Sequence, residues 1–492
     1  MLNSKNHGEI KNTKIIATIG PATRTTEALE KLMIAGLNMT RHNFSHDELE
    51  THKTNIETVR ATASRINKIV GVMCDLQGPK HRIGDFEKGS EYVYKLELGQ
   101  DFTLDNNPQL GDETRVYLPH PDVLESLKVG DSILVNDGKV ELKVKEKSKG
   151  KVITTVIRGK EVWSKRAFNI PNTVLNTEMP TEKDKKDLDF IAKLNPDYIA
   201  VSFVQTPSDI KAYRDYLSSK TDHPFKVIAK IEKPIAVQNL KAIIDEADAI
   251  MVARGDLGVE MPLEDLPATT LKIIKMSRSQ FKPVIVATQM LESMIDNAFP
   301  FRSEISDIGS AIYNDTDAIM LSAESSIGKY PTECVEIMSK IAVNVENDIR
   351  YYRHKRSVSV SEFGEISPDR AFGSITKMIS QHPEIKAIVS FSNEGQSASQ
   401  IASRRPSELK IIVVSDSQTV SQQLGLFRGV IPVVETYANR NVSTLLGRAK
   451  DLALENGLVH TGDWILVSIG MGFEGVKTEQ HKASSLITLL QI

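Results

Sequence analysis

Cysteine is nearly missing from this chain: 492 residues carry two, Cys74 and Cys334. Both stand in apolar or helical contexts without the spacing of a zinc site, so a disulfide framework and a structural metal are excluded. A reduced, cytoplasmic setting is expected. An excess of one charge is missing as well. Lys plus Arg at 61 against Asp plus Glu at 64 leaves a net charge of -3, which argues against a nucleic-acid binder that relies on a basic surface. No uncharged apolar run is long enough to span a bilayer, and the opening MLNSKNHGEIKN has no signal-peptide core, so no membrane contact is expected. The glycine fingerprint of a dinucleotide fold is also lacking, since ATIGPATRT follows the first strand-like segment. Low-complexity segments and short tandem repeats are not seen.

What the chain does have is a recurring strand-helix unit. Apolar segments, each followed by a helical stretch, occur at 14–20, 37–44, 69–76, 198–204, 226–232, 249–256, 283–290 and 318–325. They are rich in Val, Ile, Ala and Met without polar alternation, as parallel strands covered on both faces should be. Eight such units close a barrel. Polar residues stand at the C-terminal ends of nearly all: Thr18, Arg41, Asn43, Asp75, Ser202, Lys230, Glu232, Asp256, Thr288 and Ser322. In a barrel that end carries the active site. A doubly wound open sheet would also put residues at strand ends, and single polar residues there often only cap a helix.

The length allows about three domains. Between Asp75 and Ser202 there are about 95 residues more than the roughly 24 to 34 that separate other strand ends. That surplus has short alternating segments and an Asn136-Asp137-Gly138 hairpin signal, predicting a small all-β domain, a β-barrel lid over the mouth. Past about residue 350 a Ser-rich stretch leads into renewed α/β texture at AIVSFS, KIIVVSD, VIPVV and WILVSIG. The expected division is a (β/α)8 TIM barrel over 1–76 and 173–350, the lid over 77–172, and a C-terminal α/β regulatory domain over 351–492.

Chemistry concentrates at AKIE (229–232) and ARGD (253–256). Two carboxylates and two cations at one mouth can hold a divalent metal against an anionic, oxygen-rich substrate. The bland alternative is an ion pair and a helix cap. SFSNEGQSAS (390–399) follows a strand and opens a helix, where its backbone could cradle a phosphate or simply cap the helix.

ATIGPAT (17–23), RHNFSHD (41–47), DLQGPKHR (75–82), VIAKIEKP (227–234), MVARGDLGVE (251–260), VATQMLESM (286–294) and MLSAESSIGKYP (320–331) resemble, in order and over the whole chain, the signature set of the pyruvate kinase family. The resemblance implies transfer of a phosphoryl group from phosphoenolpyruvate to ADP, giving pyruvate and ATP, with enolate protonation after Mg²⁺- or Mn²⁺-assisted transfer. It implies Glu232 and Asp256 as Mg²⁺ ligands, Lys230 and Arg41 on the phosphoryl group, and the amides near Gly255 and Asp256 on the substrate carboxylate. Thr288 would belong to a proton relay that Ser322 and Glu324 extend, and Asn43, His46 and Arg82 would face the nucleotide. Members that need K⁺ hold it by the equivalents of Asn43, Ser45, Asp75 and the Leu76 carbonyl, and carry Thr and Glu where this chain has Leu76 and Lys80. The chain thus resembles the potassium-independent branch, with the Lys80 ammonium supplying the missing charge. A phosphorylated effector at Ser392, Asn393, Gly395 and Ser397, and a homotetramer, follow from the same resemblance.

Departures are His42 for leucine, His81 for an aliphatic residue, Phe301 for threonine, Gln396 for arginine, and a C-terminal loop (468–480) without the usual Gly-Thr-Thr-Asn run. Two other classes remain: a Mg²⁺-dependent aldolase or lyase sharing the two carboxylates, and a silent regulator that only binds phosphorylated metabolites.

Overall fold

In a computed structural model of the chain the described residues are 11–171, 178–348, 368–406, 409–436, 441–470 and 486–492. Part of the chain's return from the lid (172–177), most of the Ser-rich stretch (to 367) and positions 471–480 of the C-terminal loop lie outside them.

All eight predicted segments are strands: Lys14–Thr18, Met39–Asn43, Gly71–Asp75, Tyr198–Val201, Lys226–Ile231, Ala249–Ala253, Val284–Ala287 and Ala318–Leu321. They pair in parallel and close into a barrel, because the first strand pairs with both the second, Ile16 opposite Met39, and the last, Lys14 opposite Ala318. Closure removes the open-sheet alternative. The unbroken apolar runs have a direct cause. Ile16, Met39, Met73, Ile228, Met251 and Ile285 point inward into one cluster, together with Leu426 of the C-terminal region. Their neighbours Ile15, Val72, Val227, Ile250 and Val284 point outward into a second cluster under the helices. Both strand faces are therefore dry, and each fully buried Val or Ile contributes about 1.5–3 kcal/mol.

The lid is a curled six-stranded sheet with a separate two-stranded pair around its own core, including Phe86, Phe102, Leu142 and Phe168. The hairpin forms as predicted: Asn136, Asp137 and Gly138 have φ of 55°, 54° and 76°, and Val135 lies opposite Val140. The expectation of an all-β lid needs correction, because Pro121–Ser126 is a short helix. Proline near its start pre-sets the backbone, and Val123 and Leu124 fill the lid core. The C-terminal region is a five-stranded sheet with helices. Four parallel strands match the sequence reading, and a fifth, Leu486–Gln491, adds an antiparallel edge beside Trp464–Ile469 that the sequence reading missed.

Candidate active site

The polar ring gathers at the C-terminal mouth of the barrel. Lys230 is the penultimate residue of the fifth barrel strand, and its ammonium donates to Ser202 Oγ at 2.6 Å. It lies 3.0 Å from Glu232 Oε1 and 3.3 Å from Asp75 Oδ1. Burial lowers its pKa, but Asp75 and Glu232 outweigh that and hold it above the ordinary lysine value. Asp75 is buried too, which opposes charge, yet Lys230 and Arg41 hold its carboxyl below the ordinary value. Arg41 donates from Nε to Asp75 Oδ2 at 2.6 Å and from Nη1 to Thr18 Oγ1 at 3.0 Å. Ser202 in turn donates its own hydrogen bond to the Leu76 carbonyl at 2.8 Å.

Glu232 differs from Asp75. Its pKa is raised, first by burial, with Lys230 opposing and the nearby Asp256 adding to the rise. Its Oε2 accepts the Phe203 amide at 2.6 Å, an amide aimed by the positive φ of 57° at Phe203. Asp256 disfavours the charge on Glu232, and a carboxylate so placed invites a cation. Among the described residues no group of three or more His, Cys, Asp or Glu could hold a metal. Glu232 and Asp256 offer two carboxylates, a set that fits Mg²⁺, an ion held by one or two carboxylates with water and substrate oxygens supplying the rest.

Asp256 lies in the first turn of the helix Arg254–Glu260. The Gly255 amide donates to Thr288 Oγ1 at 2.7 Å, and a side chain at Gly255 would press on that hydroxyl at 3.3 Å. Ser322 sits after the last strand, its amide donating to Glu324 Oε2 at 2.7 Å, while Glu324 Oε1 accepts the Leu291 amide at 3.2 Å. Glu324 therefore ties the Ser322 turn to the segment after Thr288.

Asn43 caps a loop by accepting the Ser45 amide at 3.2 Å, and His46 follows. Burial lowers the His46 pKa, helped by the charges of Lys80, Arg82 and Arg41, so all four share one neighbourhood. Arg82 donates to the Lys165 carbonyl of the lid at 2.9 Å, and Lys80, Arg82, His120 and Lys165 line a cavity of about 510 Å³. Lys80 also lines a tighter crevice with Asp256, Phe203 and Lys233. Ser392, Asn393, Gly395 and Ser397 are not part of the mouth. In the C-terminal region Ser392, Asn393 and Gly395 lie between the strand Ile385–Phe391 and the helix Gln396–Ser403, and Ser397 lies in the first turn of that helix.

The departures find simple places. Burial pushes His42 down to about 3, and its Nε2 meets Thr40 Oγ1 at 3.2 Å. His81 is pushed down to about 4 by burial and by His120, which it meets edge-on with ring centroids 4.6 Å apart. Phe301 is exposed. It has no side-chain oxygen to cap its helix, although Glu304 still accepts its amide at 2.8 Å. Four contributors, Glu260, Lys233, Asn169 and Asp307, were not singled out from sequence. Glu260 joins Lys233 at 3.4 Å and the lid's Asn169 at 2.7 Å, while Asp307 pairs with Arg254 at 2.7 Å. Glu260 stands inside a quoted motif and could have been found there; Asp307 lies on a helix exterior and carries no sequence signal.

Comparison with known proteins agrees with this geometry. The family model described as pyruvate kinase, barrel domain, matches residues 10–335, and that described as pyruvate kinase, alpha/beta domain, matches 371–481. A pyruvate kinase of Methylorubrum extorquens is 38% identical over 94% of this chain and 95% of its own length. One from Clostridium acetobutylicum is 37% identical over 94% and 96%. The crystal structure of a pyruvate kinase from Cryptosporidium parvum superposes with a TM-score of 0.90 at 30% identity, covering 98% of this chain and 96% of that one. With matches that run through barrel, lid and C-terminal sheet alike, the chain belongs to the pyruvate kinase family.

Proposed function

We propose that the mouth carries out the family reaction, moving the phosphoryl group of phosphoenolpyruvate to ADP and then protonating the enolate to pyruvate. The observation that carries this reading is Lys230, a buried ammonium held charged between Asp75 and Glu232 and hydrogen-bonded to Ser202. Phosphoryl transfer asks the protein for positioning and charge neutralisation more than for covalent help. Lys230 and Arg41 neutralise the transferring group. The amides near Gly255 and Asp256 hold the substrate carboxylate at a helix start, the Gly255 amide exchanging its bond to Thr288 Oγ1 for the ligand. Asn43, His46 and Arg82, the last of which lines the lid cavity, bind the nucleotide.

Glu232 and Asp256 hold Mg²⁺ or Mn²⁺. When bound, that ion supplies Lewis-acid stabilisation of the substrate oxygens. Thr288 delivers the proton to the enolate carbon through water, since a threonine hydroxyl is too weak an acid to serve alone. Ser322 and Glu324 extend the relay.

K⁺ is not required in this reading. The positions that hold it in other members are Asn43, Ser45, Asp75 and the Leu76 carbonyl. Here Asp75 is engaged by Arg41 and Lys230, the Leu76 carbonyl by Ser202, and Lys80 brings its own charge beside His46. The division into 1–76 with 173–350, 77–172 and 351–492 is supported by separate apolar cores. Homotetramer formation is supported by exposed Ile375, Met378, Leu486 and Leu489 on the C-terminal region, and a phosphorylated effector binds near Ser392, Asn393, Gly395 and Ser397. A cytoplasmic setting fits two free, buried cysteines and the lack, among the described residues, of any helix long and apolar enough to cross a membrane.

The test is pyruvate formation from phosphoenolpyruvate with Mg²⁺, coupled to lactate dehydrogenase, with and without ADP. Activity that needs ADP supports the reading. Loss of phosphoenolpyruvate without ADP would point to the lyase, and no activity with any phosphorylated activator to the silent regulator.

A further inference from the structure

Thr288 stands on backbone that a β-branched residue rarely adopts. Its φ is 69°, and that of Gln289 is 54°. Two left-handed residues in a row, directly after the strand Val284–Ala287 and at no helix C-terminus, cost on the order of 1–3 kcal/mol each. Such a turn persists only if its surroundings hold it. The hydroxyl does part of this, donating to the Ala287 carbonyl at 2.6 Å and accepting the Gly255 amide at 2.7 Å. The other part falls to Arg254. Its Nη2 donates to the Thr288 carbonyl at 2.8 Å, its Nε reaches the Ala287 carbonyl at 3.4 Å, and its Nη1 meets Asp307 at 2.7 Å.

We propose that Asp307 and Arg254 form a positioning pair that sets the Thr288 turn for proton delivery to the enolate. The inference rests on the reading of Thr288 as part of the proton relay. Arg254 is rooted in the turn that carries Gly255 and Asp256, and it grips the opposite turn with a planar fork. One side chain thereby fixes the distance between the end of the site that binds the substrate carboxylate and the end that moves the proton. A lysine in its place would keep the charge but not the fork. Asp307 sits on the outer helix Arg302–Tyr313 and is partly exposed, with Arg254 mostly buried beneath it. It orients the guanidinium from outside without touching substrate. The chemical step is unchanged: the enolate carbon of pyruvate gains one solvent proton through the relay and becomes a methyl group, with no oxidant or reductant. What the pair controls is where the relay stands.

The step can be read in isolation, because an enzyme that protonates the enolate also catalyses its reverse, exchange of pyruvate methyl hydrogens with D₂O. The exchange is followed by ¹H NMR with Mg²⁺ and ATP, beside KM for phosphoenolpyruvate, kcat and thermal stability. Asp307→Ala and Arg254→Lys are expected to slow exchange about tenfold, a modest share of what general acid-base help supplies. KM should stay within about twofold, and Asp307→Glu should recover most of the exchange. Asp307 lies at the surface, so its variants test the idea even if Arg254→Lys fails to fold. Exchange that is unchanged in Asp307→Ala, or that falls only in step with KM and stability, overturns the pair. Thr288→Val separates the two levels. If it slows exchange while Asp307→Ala does not, the relay stands and the positioning claim fails. If Thr288→Val leaves exchange untouched, the relay reading itself fails and the proposal goes with it.

Discussion

The two ends of the barrel use the same kinds of residue to different effect. At the N-terminal end, where the C-terminal region packs, Arg405 grips Asp317 with two contacts of 2.9 Å and donates to the Asp315 carbonyl at 2.9 Å. Arg428 lies 3.1 Å from Glu346, and Lys14 donates to the Val430 carbonyl at 2.6 Å. At the mouth, Lys230 and Arg41 stand over Asp75 and Glu232, and Glu232 has as a second carboxylate Asp256, which lines a crevice. The bottom joins two regions by forked pairing, while the mouth keeps charges that ligands are needed to balance.

The backbone tells the same story. Left-handed residues at the bottom, such as Asn67, Phe281 and Asp315, follow helices, where such a conformation is the ordinary way to end one. Phe203 and Thr288 follow strands instead, and each points a group at the chemistry: the Phe203 amide at Glu232, the Thr288 hydroxyl toward Gly255. Strain without a helix to end marks the working face.

The sharpest way to break this contrast is to remove one cation from each end. Lys230→Met should lower kcat by about 10²–10³-fold, the range for loss of one electrostatic stabiliser of the transition state, as read in the coupled assay. Arg405→Met should leave kcat alone and lower unfolding free energy by about 3–5 kcal/mol, because Asp317 is left buried and unpaired; denaturant melts decide it. If Arg405→Met cost activity and not stability, the division between the ends would be wrong.

A pH effect sharpens the contrast from below. Burial raises Asp197 to about 7, against the help of the Val72 amide it accepts. A carboxyl raised in the fold is protonated there while the unfolded chain has already released its proton. Stability is thus highest below the ordinary carboxylate pKa and falls as pH climbs toward about 7. Asp197→Asn should remove that fall, so its gain in thermal stability over the parent should grow from pH 4 to 7 and then level off. The smallest expected effect concerns K⁺: activity of the parent should change less than about twofold across a potassium titration, whereas Lys80→Glu should make activity rise with added K⁺, one ammonium charge being replaced by the ion. A parent strongly dependent on K⁺ would refute the role given to Lys80.

Much of the fold is legible in the sequence. The eight barrel strands could be read because both of their faces are dry, which leaves unbroken apolar runs. The Asn136-Asp137-Gly138 turn could be read because few residues accept three positive φ values. The fifth strand of the C-terminal sheet was missed, since LITLLQ at 486–491 is a partly exposed edge without a distinctive period. The short lid helix was missed because six residues carry too little pattern. Of the candidate site, the strand-end residues Lys230, Glu232, Asp256 and Thr288 came from sequence, but their roles came from family motifs.

The amino-acid sequence by itself determined which segments are strands, that eight of them recur, and which polar side chains follow each strand, because local hydrophobic pattern and turn chemistry act over a few residues. Tertiary structure alone decided that Lys230 sits between Asp75 and Glu232, that Glu232 keeps a raised pKa, and that Asp307 reaches Arg254 across 53 positions. Those outcomes depend on distance and burial, and both are set by how the barrel closes.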